Sequence, residues 1–377
     1  MKINVNTTDL ASAFKFLKPM IPKNMYLPIL CNVKFKTLVD SVELSATNLE
    51  LGGICAIPAE ITEPGEITIS LAEMLAVLTK LGKDKSLPIE TATDKVLFGN
   101  TYIASLPTDE FPQFIPVPVS YNVDNLSTYA SSAIPFTGTI EIARKGNVCQ
   151  DMNCVFLHLN TGALIYATDG KRLAKIMANE TKYPTELKAI VPTSAIKAMQ
   201  FFTGSIGIGK DDALISFTSE SGWTLISRLI EGDYPDAEAV IAPMNRNTHR
   251  VIVSLSKLQT AYNILSPPKP KGNHVTCLTL RIDDKLTMSY ESSDGDLKHI
   301  VSVSFDLDKT CEIPFAVKLN SAFFKSAIDL IIANDVEIST VMADEEFSLN
   351  PIDFNIPDGT LHIAGTSQRA IVMPMRK

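Results

Sequence analysis

Apolar residues recur at helical spacing in three windows of the chain, and each window follows a short β-branched run. The windows are GEITISLAEMLAVLTKLG (65–82), LKAIVPTSAIKAMQFFTG (187–204) and CEIPFAVKLNSAFFKSAIDL (311–330). In the first, Met74, Leu75, Leu78 and Leu81 share one helical face; in the third, Phe324, Ala327, Ile328 and Ile331 do so. Ser70, Thr193 or Ser194, and Asn320 stand where a helix needs an N-cap oxygen. The stretches 86–114 and 205–236 that follow the first two windows both read strand, turn, strand, turn, strand. Both leave through a proline-containing exit, Leu106 to Pro112 and Leu229 to Pro235. The third copy ends instead on AIVMPMRK (370–377), an apolar run at a chain end, where polar and frayed residues are usual.

The first half of each copy repeats as well. DLASAFKFLKPM, TGTIEIARKG and SKLQTAYNILS read as leading helices, the second weakly because its β-branched residues favour strand. Alternating hairpins follow at NVKFKTLVDSVELSATN, NCVFLHLNTGALIYATDG and VTCLTLRIDDKLTMSYESSDG, with turns at Asp40, Asn160 to Gly162 and Asp283–Asp284. PVPVSYNVDNLST (116–128) and IAPMNRNTHR (241–250) read as connectors. The windows lie about 120–125 residues apart, which gives three α+β domains at 1–122, 123–246 and 247–377.

Composition narrows the function. The chain has 377 residues, 45% hydrophobic and 20% charged, the balance of a well-packed globular protein. No apolar run approaches the roughly 18–20 residues of a membrane span, and the N-terminus lacks the apolar core of a signal peptide. A cytoplasmic protein without membrane partners is expected. The six cysteines are scattered and read as reduced, mostly buried thiols, and the five histidines form no ligand pattern, so neither metal nor cofactor is expected. Neither a G-x-S-x-G elbow nor a phosphate-binding G-x-x-x-x-G-K-[ST] loop occurs, which argues against an enzyme. With 34 basic and 42 acidic residues the net charge is −8, the wrong sign for a uniformly basic nucleic-acid binder. It permits basic residues gathered on one surface.

Six short stretches, in order and at these spacings over the repeat, carry a resemblance. They are LPIL (27–30), ATNLEL (46–51), SLPTDEFP (105–112), YATDGKRLA (166–174), LIEGDYPD (229–236) and VMPMR (372–376). Over essentially its whole length the chain resembles the bacterial DNA polymerase III beta subunit, the DNA sliding clamp family. The resemblance implies three repeated DNA-clamp domains, with helices lining the inside and antiparallel sheets outside, in a head-to-tail homodimeric ring. Such a ring encircles double-stranded DNA without reading its sequence, and tethers DNA polymerase and clamp loader through short linear motifs.

The family's peptide pocket falls by match on Met152, Thr168, Gly170, Lys171, Arg172, Leu173, Pro235, Val240, Asn320, Phe323, Thr360, Val372, Met373, Pro374, Met375 and Arg376. Methionine suits a surface that accepts several related peptides, because its unbranched side chain repacks at little cost. Candidate DNA-facing cations are Lys15, Lys18, Lys80, Lys197, Lys257 and Lys325 on helices, with Lys23, Arg144 and Lys145 in loops or at helix ends. Ile103, Ile264 and Leu265 match the dimer interface.

Departures from the family pattern are Asn24 at a usually basic position, Lys171 for a frequent His, Ala239 for an Arg, Lys377 for a terminal Leu, and an extra stretch NPIDFNIPDG (350–359). They suit a divergent, phage-encoded or otherwise specialised member. Two readings of other classes compete. In one, Asp169 and Lys171 form an acid–base pair in an interdomain cleft, although Asp169–Gly170 reads more simply as a hairpin turn. In the other, the chain is a structural oligomer unrelated to DNA.

Overall fold

A computed structural model describes residues 1–22, 27–92, 95–139, 151–178, 181–243, 249–267, 276–294, 297–307, 314–340, 351–355 and 367–374. One motif, a strand, a helix and three further strands, underlies all of it. The first copy runs β1 (Lys2–Asn6), α1 (Thr7–Leu17), β2 (Asn32–Thr37), β3 (Ser41–Thr47) and β4 (Leu51–Glu63). It continues with β5 (Glu66–Ser70), α2 (Leu71–Leu81), β6 (Ser86–Ala92), β7 (Lys95–Phe98) and β8 (Thr101–Ala104).

The second copy opens with β9 (Tyr121–Asp124) and α3 (Leu126–Ala133), followed by the short β10 (Gly138–Thr139) and β11 (Asp151–Met152). Then come β12 (Cys154–Leu159), β13 (Ala163–Thr168), β14 (Arg172–Met177) and β15 (Leu187–Pro192). α4 (Thr193–Ala198), β16 (Ser205–Lys210), β17 (Leu214–Thr218) and β18 (Thr224–Arg228) complete it. After α5 (Ala237–Ile241), the third copy begins with β19 (His249–Ser254), α6 (Leu255–Leu265), β20 (Cys277–Ile282), β21 (Lys285–Asp294) and β22 (Leu297–Asp306). It ends with β23 (Phe315–Asn320), α7 (Ser321–Leu330), β24 (Asp335–Thr340), β25 (Ile352–Asn355) and β26 (Ser367–Val372).

Local chemistry explains the helix starts. Ser70 and Asn320 accept from the backbone N–H of Glu73 and Ala322 at the starts of α2 and α7. α4 differs from expectation: Pro192 holds its N-cap position and Thr193 is the first helical residue, since proline's fixed φ leads into a helix. The second leading helix is likewise corrected. It lies at α3, inside the expected connector, whereas Gly138–Thr139 of TGTIEIARKG is strand and residues 140–146 lie outside the described residues. α3 buries Leu126, Ala130 and Ala133, a face too small to stand out in the pattern. The stretch 350–359 is no pure insertion, because Ile352–Asn355 forms β25, the counterpart of β7 and β17.

The chain divides into two compact units, 1–128 with 191–229, and 129–190 with 230–377, so the middle repeat is shared between them. In the first unit β4 is 13 residues long and pairs with three strands, β3 among them. Leu51 to Ile54 pair with β18, and Ala59 to Glu63 pair with β1. The order is β8-β7-β6-β1-β4-β18-β17-β16-β9, with β3, β2 and β5 branching from β4. α1 buries Leu10, Ala13, Phe14 and Leu17, and the Phe14 ring meets Phe35 edge-on at 6.5 Å. The second unit holds the sheet β15-β12-β13-β14-β26-β25-β24-β19 and a four-stranded sheet β22-β21-β20-β23. Phe324 of α7 and Phe354 of β25 form its aromatic centre, 5.8 Å apart. No helix among the described residues is long and apolar enough to cross a membrane.

Candidate functional site

The turn between β13 and β14 is built by its own side chains. Thr168 Oγ1 donates to the Arg172 carbonyl at 2.7 Å and accepts from Gly170 N–H at 3.1 Å. Asp169 Oδ1 accepts from the N–H groups of Lys171 and Arg172, both at 3.0 Å. Gly170 has φ 78°, a left-handed conformation that glycine adopts without steric cost. Asp169 is therefore spent on the turn and on Arg172, whose Nε lies 2.9 Å from its Oδ2. The acid–base pairing of Asp169 with Lys171 has no geometric support.

Arg172 is held from three sides. Besides Asp169, its Nη1 donates to Ser326 Oγ at 2.8 Å, and its guanidinium lies 4.3 Å from the Phe323 ring centre and 5.5 Å from that of Phe136. Charge-assisted bonds and ring faces together fix this side chain, so it shapes a wall and is not a free cation.

Beside that wall Tyr166, Leu173, Ala237, Ile241 and Ile371 form one apolar cluster, with Phe156, Leu164 and Tyr234 packed against it. Phe156 and Tyr234 stack at 4.9 Å and join it to a second cluster of Met152, Cys154 and Ile190. Met373 is 38% exposed, and its N–H donates to the Lys171 carbonyl at 2.8 Å, which brings the chain's end to the hairpin tip. Val240 on α5 is also exposed.

Helix α5 is fixed by its ends and its charge. Asp236 accepts from Ala239 N–H at 3.1 Å as N-cap. Glu238 Oε1 accepts from Tyr166 Oη and from Lys175 Nζ, each at 2.6 Å. Burial raises the Glu238 pKa, but the bonds from Lys175 and Tyr166 outweigh it, and the net shift is below the ordinary 4.5. Burial, with the Glu238 carboxylate beside it, drives the Tyr166 phenol far up.

Several expectations need revision. Val372 is fully buried, and its strand neighbour Ile371 joins the cluster, because successive strand residues face opposite ways. Asn320 spends its side chain as N-cap of α7. Thr360, Met375 and Arg376 lie outside the described residues, as do Lys23, Arg144 and Lys145. Lys15, Lys18, Lys80, Lys197 and Lys257 are exposed on their helices or helix ends. Lys325 is not an open cation, since Asp329 one turn on pairs with it. Ile103 and Leu265 are buried in their own units and cannot present a surface; Tyr102 and Ile264, 64% and 66% exposed, stand beside them.

Sequence reasoning missed Tyr166, Ala237, Glu238, Ile241 and Ile371. The Asp-Ala-Glu-Ala-Val-Ile run with its capping Asp236 was the available signal for α5.

The family described as DNA polymerase III beta subunit, N-terminal domain, matches residues 1–115. The beta sliding clamp of Pseudomonas aeruginosa is 25% identical over 288 residues, covering 72% of this chain and 77% of its own. That of Helicobacter pylori is 22% identical over 350 residues, covering 88% and 89%. The crystal structure of the Helicobacter pylori beta clamp bound to a DNA ligase peptide superposes with a TM-score of 0.82 at 17% identity, over 100% of both chains. A family match at the N-terminus, relatives along most of the length and one fold over all of it agree: residues 1–115 match the DNA polymerase III beta subunit family, the chain is similar to beta sliding clamps over most of its length, and all of it has the fold of the solved clamps.

Proposed function

We propose that the protein is a DNA sliding clamp, a non-enzymatic processivity factor that works in the cytoplasm. Its three repeats, 1–122, 123–246 and 247–377, act as three clamp domains, and two copies close head to tail around duplex DNA. The observation that carries this reading is a series in the sheet pairing. The last strand of one half-repeat pairs with the last strand of another at β4–β18 and again at β14–β26. The two last strands left over are β8 and β22, each at a sheet edge. Tyr102 is exposed on β8 and Ile300 on β22. Pairing β8 of one copy with β22 of another continues the series, and doing so twice closes a ring in which the last strand of every half-repeat is paired.

The exposed Lys15, Lys18, Lys80, Lys197 and Lys257 supply the DNA-facing charge. Few, weak phosphate contacts suit a ring held by topology, since strong ones would impede sliding. The apolar cluster around Leu173 and Ile371, rimmed by Lys171, Val240 and Met373, takes the short linear motifs of polymerase and clamp loader. The DNA ligase peptide bound to the Helicobacter pylori clamp supports peptide recognition as the mode.

Loading on nicked circular duplex tests the reading. The protein is expected to remain on circles through a salt wash and to leave once they are cut. Equal loss from circles and linear DNA would overturn it. Tyr102→Ala with Ile300→Ala is expected to give folded monomers by sedimentation, and a dimer at micromolar concentration would refute the assigned edges.

A further inference from the structure

The first unit carries a second copy of the hairpin that builds the peptide pocket. Thr47 Oγ1 donates to the Leu51 carbonyl at 3.1 Å and accepts from Leu49 N–H at 3.0 Å. Asn48 Oδ1 accepts from the N–H groups of Glu50 and Leu51 at 3.1 and 2.8 Å. Leu49 has φ 76°, where Gly170 has 78°. The Arg228 N–H donates to the Glu50 carbonyl at 2.8 Å, as Met373 N–H does to Lys171. Bond for bond, Thr47 to Leu51 repeats Thr168 to Arg172, and Ile226 stands where Ile371 does.

The space beside this hairpin is filled differently. Leu173 corresponds to Gly52, and a Cβ on Gly52 would lie 2.7 Å from the Phe114 ring. The segment 112–118 runs over the sheet, with Val117 N–H donating to Ser216 Oγ at 2.8 Å. Gly209 permits this approach, for a Cβ there would sit 2.2 Å from the Val117 carbonyl oxygen. Between this segment and the hairpin a cavity of 790 Å³ stays open, lined by Leu49, Glu50, Phe114, Ile115, Ile226 and Arg228, with Asp211 at its rim. That is the size of a ligand pocket.

The rim has its own charge. Glu50 stands where the other hairpin has Lys171. Asp211 accepts from Ala213 and Leu214 N–H at 2.8 and 2.7 Å, bonds that hold its pKa below the ordinary value and keep it ionised. Arg228 Nε donates to the Leu49 carbonyl at 3.1 Å, so this cation is turned toward the hairpin.

We propose that this cavity is a second peptide-docking groove, which takes an extended segment with two large apolar side chains and a lysine or arginine beside them. The peptide chemistry rests on reading the other hairpin's groove as the peptide pocket. The basic residue follows from the carboxylates of Glu50 and Asp211, where the other groove presents Lys171. Phe114 and Ile226 form the floor, and Leu49 and Ile115 the lips; Ile115 is 78% exposed, so its replacement leaves the core intact.

The probe is acetyl-Lys-Gln-Leu-Ser-Leu-Phe-amide, titrated calorimetrically into the full chain beside the same peptide with Glu for Lys. Two Lys peptides per chain are expected. Ile115→Asp should reduce this to one, and removal of residues 373–377 should eliminate the other. Glu50→Lys should weaken the Lys peptide several-fold at this groove and favour the Glu peptide. A single site lost on truncation and untouched by Ile115→Asp would overturn the groove while leaving the C-terminal pocket standing. Binding that survives truncation and is lost with Ile115→Asp would uphold the groove and sink the C-terminal pocket. No binding of either peptide would overturn both.

Discussion

The hairpins Thr47–Leu51 and Thr168–Arg172 share a backbone and differ in almost everything attached to it. The first places a leucine in the left-handed turn position, a carboxylate at its tip and a glycine where its groove begins. The second has Gly170, Lys171 and Leu173 there. The hydrogen bonds of the turn need only a Thr and an Asn or Asp, so the scaffold leaves the remaining positions free to diverge. The same holds across the strands behind them. Arg369 and Asp353 occupy the sheet positions that Thr224 and Ser216 hold in the first unit. A repeated backbone can thus carry one neutral and one charged interior, and two grooves of opposite rim charge.

The largest effect should come from breaking the charged interior. Arg369 Nε and Nη2 reach the two carboxylate oxygens of Asp353 at 2.9 and 2.6 Å, and Asp353 is 3% exposed. Burial raises the Asp353 pKa, against the pull of Arg369 and Arg250. Arg369→Leu strands this carboxylate and should cost about 3–5 kcal/mol in urea unfolding. Thr224→Val at the matching position should cost about 1 kcal/mol or less. Equal losses at the two sites would mean that the ion pair is not what distinguishes the sheets.

A smaller effect should follow the turns. Leu49 is strained by its positive φ, so Leu49→Gly should raise stability by about 1 kcal/mol, while Gly170→Ala should lower it by a similar amount. Shifts of the same sign in thermal unfolding would contradict the equivalence of the turns. Leu49→Gly should also weaken the Lys peptide at the first groove, because it removes one lip.

The smallest effect concerns pH and belongs to the second unit alone. Glu238 has a folded-state pKa below its ordinary 4.5, so the stability it contributes is present above that value and is lost as pH falls through the folded pKa. More than half of its side chain is exposed, and solvent screens the pair with Lys175. Glu238→Gln should therefore cost under about 1 kcal/mol at neutral pH, with the difference from wild type vanishing once pH has fallen below the folded-state pKa. The first groove has no counterpart, since Ser45 and Ile54 stand at the positions of Tyr166 and Lys175. A pH-independent difference would show that Glu238 does not hold α5 by charge.

Much of the architecture was legible in the chain. The threefold spacing, the capping Ser70 and Asn320, the apolar faces of α2 and α7 and the alternating hairpins follow from local pattern, because each rests on neighbours within a few residues. α3 escaped, since Leu126, Ala130 and Ala133 make too slight a stripe. Ile352–Asn355 reads in sequence as part of an insertion, because four residues carry little periodic signal.

What tertiary structure alone decided is which residues of distant segments face each other. Alternation says that Ile371 and Val372 point opposite ways, but both residues are apolar, so only the packing of α5 reveals that Ile371 belongs to the site. Ile103 and Tyr102 pose the same choice on β8, and there packing buries Ile103. The sequence determined that a Thr-Asp-Gly turn would form and that Arg172 would follow it. It could not determine that Ser326 and Phe323 of α7 and Phe136, from a separate segment, would fix that guanidinium. Turn chemistry acts along the chain, whereas side-chain packing is settled only when strands and helices far apart in sequence share one interior.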